Sequence, residues 1–145
     1  MGKINVRDKG QRGEREVIAL LQPVVNRTYE AAGLEPPLLQ RNQMQSHKGG
    51  YDIVGLDWLA LEVKFQESFN VERWWVQCNQ QCKEGQLPVL FYRKSRVAWR
   101  VRTYGYLDAE QLLVRGVVDI SLETFLFFVE KKIERILQKA VELNT

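Results

Sequence analysis

Two residues interrupt an apolar run in a way that invites chemistry. In Leu59-Ala60-Leu61-Glu62-Val63-Lys64-Phe65 an acid and a lysine alternate with apolar side chains. Strand side chains alternate faces, so Glu62 and Lys64 point one way while Leu61 and Val63 point the other. Such a pair on a central strand is costly unless it has partners. A second short run, Tyr51-Asp52-Ile53-Val54-Gly55, comes just before, and Leu56-Asp57-Trp58 is a connection of hairpin length. A hairpin centred on Asp57 sets Asp52 opposite Glu62, with side chains roughly 5 Å apart. Carboxylates that close repel unless they share a proton or a cation. Two acids beside one lysine suit Mg²⁺, which takes hard oxygen ligands and leaves the remaining positions to water and substrate phosphate.

Glu14 is a fourth candidate. It falls at helical spacing from Val17, Ile18 and Leu21, on the face that should pack on a sheet, whereas Glu16 falls elsewhere. An acid on an inward face calls for a cation nearby. Plainer readings stand beside each of these residues. A carboxylate–lysine contact is commonly structural, and an acid near a helix start is favoured by the helix dipole. The joint pattern of inward Glu, then Asp, then Glu-X-Lys on an alternating strand is what points to a metal site.

These residues need elements to hold them. Residues 1–9 read as a polar, basic arm. A helix over 10–22 should be broken or kinked by Pro23, with a second helical piece over 24–32 ending at Gly33. Residues 38–41 read as a short strand, followed by a polar loop to Gly50. A helix over 70–83 sets Val71, Trp74, Trp75, Cys78 and Cys82 on one face, where core packing is favoured over base stacking for the tryptophans. Its Gln77 and Gln81 read as solvated before they read as water-orienting. Strands follow at 88–92 and 97–102. Asp108 and Gln111 resemble a capping box opening a short helix over 108–113. In 121–143, Leu122, Leu126, Val129, Ile133, Ile136, Ala140 and Leu143 form a heptad seam, widened by Phe125, Phe128 and Leu137. That helix either covers the sheet or pairs with another subunit. The fold class is α/β, a mixed central sheet flanked by helices with a long C-terminal helix added. One domain is expected over 1–145, with its core at about 7–102 and a helical extension at about 108–143.

The chain has 145 residues, 45% hydrophobic and 27% charged, the profile of a globular protein rather than a disordered one. No apolar run reaches the roughly 18–20 residues that span a bilayer. The first residues lack the apolar core of a signal peptide, so a cytoplasmic location is expected, in a host's cytoplasm if the protein is viral. Cys78 and Cys82 are too few for a disulfide framework and read as small buried residues. Net charge is +3, and residues 93–102 carry five basic residues and no acid. Such clusters suit a phosphate backbone, though a strand edge protected by charge has the same look.

Asp52 and Glu62-Val63-Lys64 together resemble the core of the PD-(D/E)XK nucleases. Lys9-Gly10-Gln11-Arg12-Gly13-Glu14-Arg15-Glu16 resembles the opening of the archaeal-type Holliday-junction resolvases. The arginine closing 38–41, then Arg73, Gly85, Pro88-Val89-Leu90 and Val97-Ala98-Trp99-Arg100, follow the order of that family. The likeness covers about 7–102. Tyr51 stands where a proline is usual, and Ser46 is the only candidate for a serine-glycine loop that family carries.

The resemblance implies a Mg²⁺-dependent endodeoxyribonuclease, with Mn²⁺ as a substitute, that cuts branched DNA by phosphodiester hydrolysis. It implies catalytic Glu14, Asp52, Glu62 and Lys64, and metal ligation by Glu14, Asp52, Glu62 and the Val63 carbonyl. DNA contacts are expected from Lys9, Arg12, Arg15, Arg41, Lys48, Arg100 and Arg102. A four-way junction has two-fold symmetry, so a homodimer is expected. A restriction-type, nicking or end-processing nuclease, or an inactive DNA-binding protein, are the alternatives.

Overall fold

The structure is a computed structural model that describes residues 6–43 and 51–144. Among these residues the chain forms α1 (Val6–Ala31), β1 (Gln40–Arg41), β2 (Ile53–Val54), β3 (Leu59–Phe65), α2 (Val71–Gln81), β4 (Leu87–Arg93), β5 (Arg100–Ala109), β6 (Leu112–Ser121) and α3 (Leu122–Leu143). The strands make one mixed sheet in the order β1-β2-β3-β4-β5-β6. All neighbours are antiparallel except β3 and β4. A parallel pair needs a crossover, and α2 is that crossover. The α/β class with a long C-terminal helix is therefore what the chain adopts.

The sheet has two covered faces. On one, Val17 and Leu21 of α1 and Phe125, Val129 and Ile133 of α3 bury with Ile53, Leu61, Val63 and Phe91. On the other, Trp74, Trp75 and Cys78 of α2 bury with Leu90 and Tyr92. Gly13 lets α1 lie close on β3, since a side-chain carbon there would sit 2.9 Å from the Phe65 Cβ. That close approach fixes the height of Glu14 above the sheet.

Several elements differ from the sequence expectation. Pro23 does not divide the first helix, which is continuous and already begins within the expected arm. The hydrogen bond that proline forgoes belongs to the Ala19 carbonyl, and Ala19 and Pro23 are both exposed. Water can satisfy that carbonyl, so the helix continues. The strand expected from residue 97 begins at Arg100, because Arg96 takes a left-handed conformation with φ 66°. No helix forms over 108–113. Residues there run through a ten-residue strand, a turn at Glu110 and Gln111, and a second ten-residue strand. The C-terminal helix covers its own core through Phe125, Val129 and Ile133, and shares that core with residues 7–102. Ala140 and Leu143, the far end of the heptad seam, are exposed. Among the described residues no helix is long and apolar enough to cross a membrane.

Candidate active site

The hairpin of β2 and β3 pairs Ile53 with Leu61, the register of a hairpin centred on Asp57. One step outward, Asp52 lies beside Glu62. The backbone N–H of Asp52 donates to the Leu61 carbonyl at 2.7 Å, and the N–H of Val63 donates to Asp52 Oδ2 at 2.7 Å. The aspartate is thus locked to the β3 backbone by two bonds rather than by side-chain packing. The Asn42 N–H donates to the Asp52 carbonyl at 2.8 Å, which ties the end of β1 to the same point.

Glu62 is 2% exposed and Asp52 4%. Glu62 is paired in register with Leu90, so it stands on the face that α2 covers. Lys64, two residues on, shares that face and brings Nζ to 3.4 Å from Glu62 Oε1. One ammonium at that distance does not offset the rest. Burial, and then the charge of Asp52, push the Glu62 carboxyl from its usual 4.5 up to about 8. The fold therefore favours the protonated form of Glu62 beside Asp52. The Cys78 thiol lies close enough to feel both acids, and burial first, then their charge, push it up. It stays a neutral thiol and behaves as the buried apolar residue its spacing suggested.

Glu14 is placed differently. Arg41 is in register with Ile53 and so stands on the α1 face of the hairpin. Its Nε donates to Glu14 Oε2 at 2.6 Å. The inward acid of α1 has a cation partner on its own side of the sheet, while Asp52, Glu62 and Lys64 gather on the other side. Among the described residues no group of three or more His, Cys, Asp or Glu side chains is arranged to hold a metal ion.

The donor set that the structure does bring together is Asp52 with Glu62, beside Lys64. Two carboxylates lie side by side in a buried place, and the Asp52 charge raises its neighbour. A hard divalent cation held by two carboxylates fits this pair, the remaining positions being left to water and a substrate phosphate. The Val63 N–H is already committed to Asp52, so the β3 backbone at this residue is fixed beside both acids.

The expected phosphate contacts divide into two kinds. Arg12 and Arg15 are exposed on α1, and Arg100 is exposed at the start of β5. Arg15 and Arg41, with Gln40, Asn42 and Gln43, line an open cleft of about 620 Å³ next to the Asn42–Asp52 bond. Lys9 is instead bonded to Glu67 and, at 3.2 Å, to Ser95, with Nζ 4.7 Å from the Phe65 ring centroid. Arg102 donates to Asp119 at 2.9 Å and to Glu72 at 2.8 Å, tying β5, β6 and α2 together. Arg93 of the same basic run is held by Glu16 at 2.8 Å. The basic run 93–102 is thus partly compensated by acids distant in sequence, which composition alone cannot reveal. Lys48, Ser46 and His47 lie outside the described residues. Trp74 and Trp75 are buried under α2. The acids that neutralise the basic run, Glu16, Glu72 and Asp119, carried no sequence signal beyond ordinary surface charge.

Compared with protein-family models, with curated proteins and with solved structures, the chain matches none.

Proposed function

We propose that this protein is a divalent-metal-dependent DNA endonuclease acting on branched DNA, with its active site at Asp52, Glu62 and Lys64. The observation that carries the reading is the buried Asp52–Glu62 pair, in which Glu62 is pushed up to about 8 by burial and by Asp52. Perturbation of that kind clusters at functional sites, because a fold that needed only stability would not retain two facing buried acids.

Asp52 and Glu62 would hold the cation, with the Val63 carbonyl as the further ligand that the family resemblance implies. A bound Mg²⁺ or Mn²⁺ would acidify a water and offset charge on a scissile phosphate. The protein supplies the rest. The Val63 N–H orients Asp52. Lys64 presents a fixed cation on the Glu62 face, where it can stabilise charge that develops on the phosphate as it is attacked. Arg15 at the cleft beside β1 binds a flanking phosphate, while Arg41 lines the same cleft with its charge taken up by Glu14. Glu14 positions Arg41 through their ion pair. Contacts of this kind read backbone geometry rather than base edges, so shape should matter more than sequence.

The experiment is a cleavage assay on a four-way junction beside a matched linear duplex, in Mg²⁺ and then in Ca²⁺. The reading expects cleavage of the junction in Mg²⁺, binding without turnover in Ca²⁺, and much weaker action on the duplex. Strong preference for one short linear sequence would replace it by a restriction-type enzyme. Processive loss of linear ends, with junctions ignored, would replace it by an exonuclease. Binding with no cleavage in any metal would leave a DNA-binding protein.

A further inference from the structure

We infer that β6 is a self-association edge, and that two copies of this chain join through it as antiparallel strands centred on Val117. This goes beyond the nuclease reading and does not depend on it.

The first observation is the strand itself. Among the described residues β6 ends the sheet, and its ten residues pair with β5 on one side only. The register runs without a bulge from Arg100 opposite Ser121 to Ala109 opposite Leu112. Natural edge strands are shortened, bulged, or guarded by lysine or proline. β6 has none of these, since its sequence Leu-Leu-Val-Arg-Gly-Val-Val-Asp-Ile-Ser holds no lysine and no proline. Its two charges do not guard it either. The Arg115 guanidinium lies 3.9 Å from the Tyr104 ring centroid, turned back over its own sheet. Asp119 accepts from Arg102 and from Tyr92.

The second observation is apolar surface. Among the described residues β4 pairs with the first residues of β5, Arg100 to Arg102, and most of the β5–β6 hairpin has no third strand beside it. Tyr106, Leu107, Leu112 and Leu113 there are 62–68% exposed, and Val114 and Val117 about half. Cross-strand partners share a face, so Leu107, Ala109, Leu112 and Val114 form one side with no charge at all. Soluble monomers rarely leave more than a few hundred Å² of contiguous apolar surface bare.

The third observation selects the occupant. If Val117 lies opposite Val117 of a second copy, Arg115 falls opposite Asp119, twice, by symmetry. The row across the joint then reads Arg102, Asp119 and Arg115 of the second copy, an alternation of charge. Val114 falls opposite Ile120 on the other face. Centring on Arg115 or on Asp119 would stack like charges instead. The strand is thus complementary to itself in one register, as a two-fold interface requires. The joint would merge two six-stranded sheets and relate the two Asp52–Glu62 sites by a two-fold axis.

The test measures mass in solution and proximity together. By light scattering at tens of micromolar, the full chain should run as a dimer. Val117→Asp, which sets two acids opposite each other at the axis, should weaken the dimer by about tenfold or more. In a Cys82→Ser background, Val117→Cys should give a disulfide-linked dimer on mild oxidation, since opposed strand residues lie within disulfide reach. Leu143→Cys, at the exposed end of α3, should not. A monomeric wild type overturns the inference. So does a dimer that tolerates Val117→Asp, or cross-linking at 143 without cross-linking at 117, which would move the interface to α3.

Discussion

The α2 face of the sheet carries two charge clusters, each with two acids, and they behave in opposite ways. In one, Arg102 reaches both Asp119 and Glu72 at 2.9 and 2.8 Å. Burial would raise the Asp119 carboxyl, but hydrogen bonds from Arg102 and Tyr92 outweigh it and hold it below its usual range. In the other, Lys64 reaches Glu62 at 3.4 Å, and both acids are almost fully buried. There burial and the neighbouring carboxylate win, and Glu62 rises to about 8. A planar guanidinium with two donors in a fork can close a cluster, while a single ammonium cannot. The first cluster is a complete structural tie. In the second, burial and the neighbouring carboxylate outweigh the lysine, and that difference is what marks it as the candidate site.

The largest expected effect follows directly. Glu62→Gln, Asp52→Asn and Lys64→Ala should each lower cleavage by about 10³-fold or more, the order lost when a preorganised electrostatic group is removed. The fold and most DNA affinity should survive, as checked by circular dichroism and by binding in Ca²⁺. Arg102→Gln should do the reverse. It should leave cleavage within a few-fold but lower stability by about 1 kcal/mol, allowing for solvent screening, in denaturant unfolding. Wild-type cleavage by Glu62→Gln would erase the contrast.

The pH dependence of stability sharpens it. Glu62 is raised in the fold, so the fold favours its protonated form. Its contribution is full below about 4.5 and is lost as pH rises toward about 8. Asp119 is lowered, so its contribution is present above 3.8 and lost as pH falls through that range. The metal-free protein should therefore weaken on both limbs, and Mg²⁺ should flatten only the upper one. A urea midpoint constant between pH 5 and 8 would mean that the acid pair is already compensated.

A smaller effect concerns DNA binding. Arg15→Gln should lower affinity for all sequences alike and reduce the salt slope by about one. Arg102→Gln should leave the slope nearly unchanged, because Asp119 and Glu72 already take up its charge. Equal slopes for the two variants would show that neither arginine, or both, meets phosphate. The smallest effect is at the β5–β6 turn. Glu110 and Gln111 are both left-handed, with φ 50° and 69°. Gln111→Gly should stabilise the protein by about 1 kcal/mol, read as a raised melting temperature.

That turn also shows where the sequence ran out. The alternation in 59–65 and the short connection at Asp57 were enough to place Asp52 beside Glu62 in the correct register, because a half-buried hairpin strongly specifies pairing. The inward position of Glu14 was legible from helical spacing, but its partner Arg41 depends on which face β1 presents, and a two-residue strand carries no periodicity. The β5–β6 hairpin was hidden for a local reason. Its turn lacks the Asn-Gly or Asp-Gly pair that usually marks two left-handed residues, and Asp108 with Gln111 imitates a helix cap. Pro23 misled in the other direction, since its cost depends on whether the freed carbonyl meets water. The compensation of Lys9, Arg93 and Arg102 by Glu67, Glu16 and Asp119 is tertiary, and no window of sequence contains it.

The measurement that bears most directly on the Asp52–Glu62 site is calorimetric titration of the full chain with Mn²⁺ at pH 7, in buffers of different ionisation enthalpy. Because Glu62 is held near 8 in the metal-free fold, binding should release about one proton per ion. Asp52→Asn should abolish both the binding and the proton release, while Asp119→Asn should change neither. Failure of the wild type to bind the ion, or binding that persists in Asp52→Asn, would contradict the assignment.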